Sequence, residues 1–181
     1  TRDIKLLSDV ESAFARLSLT YVRSLHAHAA LLPDAVLQHA FAINNINAVV
    51  STVEMNRFEL NSVRNNDELV ATLRVSLSQH IEQFTATLLD TFLPSFVALT
   101  SSNGVDDKQQ LSSVVAAVAH ECRDVCMQQL RVKTLTMFGN FEIGASIRRK
   151  IAEKMAECAT NNQFSDNLKR DIQNAIVFLK K

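Results

Sequence analysis

The residues most suggestive of chemistry lie in one run, His120-Glu121-Cys122-Arg123-Asp124-Val125-Cys126, which holds the imidazole, carboxylate and thiol groups that bind zinc. On a continuous helix Cys122 and Cys126 share a face. His120 stands about 200° round from Cys122, so only two thiolates are left where zinc needs three or four ligands. Small apolar cysteines in a core are the expectation, and no metal is assigned. His26 and His28 are two apart and point to different faces of any helix, while His39 and His80 stand alone. The one carboxylate at the i, i+4 spacing from a histidine is Asp124, after His120, which reads as a surface contact. No glutamate is followed three residues on by histidine, so the Glu-x-x-His pairs of a di-iron bundle are absent. There is no Gly-x-Ser-x-Gly, and three glycines in the whole chain leave nothing from which to build a phosphate-cradling loop. A non-catalytic protein without a cofactor is expected.

Charge offers one binding candidate. Arg148, Arg149, Lys150 and Lys154, with Arg131 and Lys133 upstream, form a basic cluster that could meet an anionic lipid headgroup or an acidic partner. A solvated helix face part-neutralised by Glu142 and Glu153 is the plainer reading. Overall, nineteen Lys/Arg balance nineteen Asp/Glu, which argues against the basic surface of a nucleic-acid binder. The C-terminal part, from residue 101, is mildly the more basic. Among the aromatics, Phe41, Phe58, Phe138 and Phe141 are the candidates for facing a partner, Phe58 because its neighbours Asn56, Arg57, Glu59 and Asn61 are polar.

The elements that must position these residues are helices. Three glycines and two prolines among 181 residues, with 47% hydrophobic content, disfavour strand-and-turn architectures and give length enough for one domain with a real core. The fold class read from this is all-α: an elongated antiparallel bundle of about four long and two short helices. Helix one spans about Asp3–Leu32 with Leu7, Val10, Phe14, Leu17 and Tyr21 on its predicted core face. Pro33 and Asp34 open helix two, to about Val63, with Val36, Ala40, Ile43, Val50 and Val53 inward. Asn65–Glu68 reads as a turn and cap before helix three, whose series is Val70, Leu73, Leu77, Ile81, Phe84, Leu88 and Phe92. Pro94 should kink or stop it, with Phe96 and Leu99 packing in a short following turn. Thr100–Gln109 is a polar, protruding loop. Helix four, one rod of about 40 Å, carries Leu111, Val115, Val118, Cys122, Val125 and Val132 on one face and reaches Phe138. A break holding Gly139 and Gly144 precedes helix five, Ala145 to about Thr160, with Ile147, Ile151, Met155 and Cys158. Asn161 and Asn162 end it, and Ser165 caps a last helix with Leu168, Ile172, Ile176 and Leu179.

No repeat at a fixed period marks an armadillo or tetratricopeptide array. No apolar run is long enough to span a bilayer and no signal peptide opens the chain. An odd count of three cysteines without a secreted-type framework suits a reducing compartment. A soluble, cytoplasmic protein is expected. The chain opens without Met directly into helical periodicity, as a piece of a longer protein would.

Helix two holds three asparagines, Asn44, Asn45 and Asn47. They spread over an arc of about 160° of the helix, too wide for all three to face inward. Asn44 and Asn47 share a flank, and one of them is predicted to be buried and hydrogen-bonded, fixing helix register. The stretch Ala40-Phe41-Ala42-Ile43-Asn44-Asn45-Ile46, followed by a long third helix, resembles the rod-like subunits of multisubunit vesicle-tethering complexes of the COG and exocyst type. The resemblance covers about residues 36–100. It implies a scaffold that binds other protein subunits, small GTPases or SNARE proteins without catalysis, peripheral to an endomembrane. Two other classes stay open: a cytoskeletal or adhesion-type bundle, in the manner of talin or vinculin segments, that binds a partner helix, and a helical ligand-binding domain or enzyme with an internal pocket.

Overall fold

A computed structural model describes residues 2–56, 63–101, 108–123, 125–160 and 164–181. Among them every regular element is a helix: α1 Arg2–Ala29, α2 Ala35–Asn56, α3 Val63–Phe92, α4 Pro94–Ser101, α5 Lys108–Glu121, α6 Val125–Thr136, α7 Phe141–Ala159 and α8 Asp166–Lys180. The chain divides into two compact units, Thr1–Phe84 and Thr85–Lys181, and α3 runs through the boundary.

In the first unit α1 ends at Ala29 and a tight turn leads to Asp34, whose carboxylate accepts from the Leu37 amide at 2.8 Å. That bond satisfies one of the amides left over at the start of α2. The Gln38 side chain donates back to the Leu32 carbonyl at 2.9 Å and ties the turn down. The core joins Val22 of α1, Ala42, Ile46, Val50 and Val53 of α2, and Leu69, Val70 and Leu73 of α3. An Arg74–Glu54 ion pair links α3 to α2 at the surface, where such pairs add little stability. Asn65–Glu68, expected as a turn, lies inside α3, which starts at Val63.

The face of α1 differs from expectation. Of the predicted core residues, Val10 is 49%, Leu17 69% and Tyr21 50% exposed, whereas Ser18, Val22, Leu25 and Ala29 are buried. The helix carries two apolar stripes. The buried one includes two small residues, Ser18 and Ala29, beside Val22 and Leu25. Of the bulkier stripe, Phe14 is half-buried and packs against the core as expected, while Val10, Leu17 and Tyr21 are left outside.

In the second unit the single rod expected over residues 111–138 is broken into α5 and α6. Val125 and Val132, assigned to its core face, are 63% and 56% exposed. At the end of α5, Glu121 turns its carboxylate toward another helix. Its Oε1 accepts from the Ser95 amide at 2.8 Å and its Oε2 from the Phe96 amide at 3.0 Å. Pro94, the first residue of α4, has no amide to donate, and Leu93 before it has no side-chain acceptor. The cap for α4 therefore arrives from the end of α5. A buried carboxylate drawn sideways in this way sits where α5 stops, and the Arg123 amide closes a tight turn on the His120 carbonyl. Pro94 itself behaves as expected: α3 stops at Phe92, and Phe96 and Leu99 pack inward from the short helix.

The break expected over 138–144 is shorter than its glycines suggest. Asn140 caps α7, accepting from the Glu142 amide at 3.0 Å, and the helix starts at Phe141. Gly144 lies within it: a Cβ there would stand 2.1 Å from the Thr134 carbonyl oxygen. Glycine is required by the contact of α7 with α6, not by a turn. α8 follows the reading closely, with Ser165 as cap and Leu168, Ile172, Ala175, Ile176 and Leu179 buried. No helix among the described residues is long and apolar enough to cross a membrane.

Candidate functional site

The exposed stripe of α1 and the neighbouring face of α2 make an open groove of about 360 Å³ in the first unit. Phe14, Leu17 and Tyr21 line one wall, one helical turn apart, and Asn45, Val49 and Val53 line the other. No residue lining it is charged. The helix two asparagines gain a position here: Asn44, Asn45 and Asn47 are all half-buried, so neither Asn44 nor Asn47 is buried as predicted. Asn45 is the one in the groove, with its amide donating to the Phe41 carbonyl of its own helix at 2.8 Å. That bond occupies one of the amide's two N–H donors and none of its acceptor capacity.

The proposed partner-facing aromatics scatter. Phe41 is half-buried, Phe138 is buried in the second unit, and Phe141 is 64% exposed on the first turn of α7. Phe58 lies outside the described residues. The basic cluster is not one patch either. Arg148 is buried and points to the last turn of α6, with Nη1 3.5 Å from Thr134 Oγ1 and the guanidinium 5.6 Å from the Phe141 ring. The carbonyl end of α6 carries the negative pole of that helix, which gives Arg148 its counter-charge. Burial, and then repulsion from Arg131, lower its pKa. Arg131 itself lies over the Phe178 ring at 5.0 Å. Arg149 and Lys154 are exposed and Lys150 is half-buried; Lys150 and Lys154 share a face, with Arg149 about 100° round.

The cysteine run comes apart with the helix break. Cys122 is buried at the end of α5 and Cys126 half-buried on α6. Burial, reinforced by the Glu121 carboxylate, pushes the Cys122 thiol up to about 12, so it stays protonated and unreactive at neutral pH. Burial raises Cys158 as well. Asp124 lies outside the described residues, and among the described ones no group of three His, Cys, Asp or Glu is arranged to hold a metal ion. Beside Cys122 an open depression of about 280 Å³ is rimmed by Arg123 and Asp171, which pair with each other across it.

Three histidines that look unrelated in sequence meet in the first unit. His26 near the end of α1, His39 in the first turns of α2 and His80 on α3 form a chain. His80 Nε2 lies 2.9 Å from His26 Nε2, and His80 Nδ1 lies 3.4 Å from His39 Nδ1. The ring centroids are 4.8 and 5.7 Å apart and the rings are tilted by about 50°. His28 takes no part; its Nδ1 donates to the Ser24 carbonyl at 2.7 Å. Spacing could not reveal this cluster, because it depends on where α3 crosses the α1–α2 pair. Compared with protein-family models, with curated proteins and with solved structures, the chain matches none.

Proposed function

We propose that the chain is a non-catalytic scaffold or tethering module of the cell interior, an elongated antiparallel helical bundle that binds one amphipathic helix of a partner protein in the groove between α1 and α2. The observation that carries this reading is the exposed apolar stripe of α1. Large side chains at one-turn intervals, facing a second helix across an uncharged groove, are the geometry that a third helix fills with i, i+3 and i+4 anchors. Leu17 and Tyr21 supply the apolar surface, and Asn45, at the groove wall, supplies one acceptor to set the register of the incoming helix. The resemblance of helix two to tethering subunits lies on the same pair of helices and supports the same class of partner, among them other tether subunits, small GTPases and SNARE proteins.

The test is affinity capture with the intact chain and with Leu17→Asp/Tyr21→Ser, followed by mass spectrometry. Recovery of tether subunits, GTPases or SNAREs by the wild type and their loss with the variant is the expected result. Recovery of actin-linked proteins instead would favour the cytoskeletal reading and overturn the tether, and capture unaffected by the variant would remove the groove.

A further inference from the structure

We propose that His26, His80 and His39 form a proton-sensitive clasp, which holds α1, α3 and α2 together while the three rings carry at most one net positive charge and releases α1 when a second proton arrives. Three neutral imidazoles bring three N–H protons to six nitrogens. At 2.9 Å, His26 Nε2 and His80 Nε2 must share one proton. Two lone pairs would repel, and two N–H bonds of about 1 Å each would leave their hydrogens only about 0.9 Å apart. The 3.4 Å contact of His80 Nδ1 with His39 Nδ1 is longer but obeys the same rule, since two N–H groups there would put hydrogens about 1.4 Å apart.

Each contact therefore holds one proton, and the third sits on an outer nitrogen, His26 Nδ1 or His39 Nε2. A fourth proton fills the other outer nitrogen and gives the triad one charge with both contacts intact. A fifth has no place except inside a contact, which it breaks.

Among the described residues no acidic group acts on His80 to offset that second charge. Among the described residues the charged groups acting on His80 are His26, from α1, and His39, from α2; no carboxylate of the three helices takes part. Burial first, and then these two neighbours, lower His80 to about 4 from an ordinary 6.5, and burial lowers His39. The sign follows. An opened clasp frees His80 to bind a proton near 6.5 that the closed one refuses until about 4, so the clasp contributes fully above 6.5 and its contribution is lost as the pH falls from there toward 4.

The experiment is amide hydrogen exchange of the intact chain from pH 7.5 to 4.5, corrected for the intrinsic pH dependence of exchange, with ¹⁵N imidazole shifts recorded alongside. The opening constant for the last turns of α1 is expected to rise by about tenfold per pH unit below 6.5, which is one proton taken up per opening. His80→Gln and His26→Gln should flatten that slope, and His28→Gln should leave it. His26 is exposed, so its variant removes the same contact from the α1 side even if the half-buried His80 position does not tolerate change. The same slope in both triad variants as in the wild type overturns the clasp. So does protonation of two triad imidazoles near 6.5 with no change in the opening constant.

Discussion

Glu121 spends a charge on a helix that is not its own. A carboxylate accepting two backbone amides at 2.8 and 3.0 Å while buried makes two charge-assisted bonds, each stronger than a neutral one. Replacing it with alanine leaves the buried Phe96 N–H and the part-buried Ser95 N–H without an acceptor, at about 1–3 kcal/mol for the first and less for the second. Glu121→Ala is expected to lower stability by about 2–4 kcal/mol, and Glu121→Gln, which keeps one acceptor, by less. Urea unfolding of both variants, with exchange rates of the Ser95 and Phe96 amides, checks this. Equal stability of Glu121→Ala and wild type would mean that water caps α4 just as well. His80 shows a different economy: its charge is held off by burial and by two like neighbours, so it works as a neutral link.

At the level of elements, α1 is the informative case. Its sequence has two apolar stripes, and periodicity alone cannot rank them, because both recur at helical spacing and Leu17 is as apolar as Leu25. What decides is which stripe meets helices from elsewhere in the chain: Val22 joins the core with residues of α2 and α3, and Leu17 does not. The expected consequence is a reversal of the intuitive mutational ranking. Leu25→Ala should cost about 2–5 kcal/mol, while Leu17→Asp should change stability by no more than about 0.5 kcal/mol, both measured by chemical denaturation. A large loss for Leu17→Asp would place Leu17 in a core. Elsewhere legibility followed locality. α8 was readable because Ser165, Asp166 and the series from Leu168 to Leu179 fall within fifteen residues, and the stop at Pro94 because proline acts on its own backbone. The role of Glu121 beside the α5–α6 break was not, since its partners, the Ser95 and Phe96 amides, lie twenty-five residues away or more. The histidine triad was not for the same reason, with His26 and His80 fifty-four positions apart.

For the whole molecule, the division into Thr1–Phe84 and Thr85–Lys181 gives each part its own core, with Leu73 buried in the first and Ile151 in the second. Leu73→Ala and Ile151→Ala should each cost about 2–5 kcal/mol. Hydrogen exchange is expected to show the loss of protection confined to the unit that carries the substitution. A uniform loss over all helices from either variant would show one cooperative unit instead.

The cap on α4 also has a consequence in time. Ser95 and Phe96 are synthesised before Glu121, and at about 5–20 residues per second their amides wait on the order of one to five seconds for their acceptor. Through that interval Phe96 and Leu99 have no α5 to lie against, although the two helices pack together in the finished fold. The start of α4 is therefore unfinished until Glu121 has been made, and the helix is completed by a residue that follows it in synthesis and not by its own sequence.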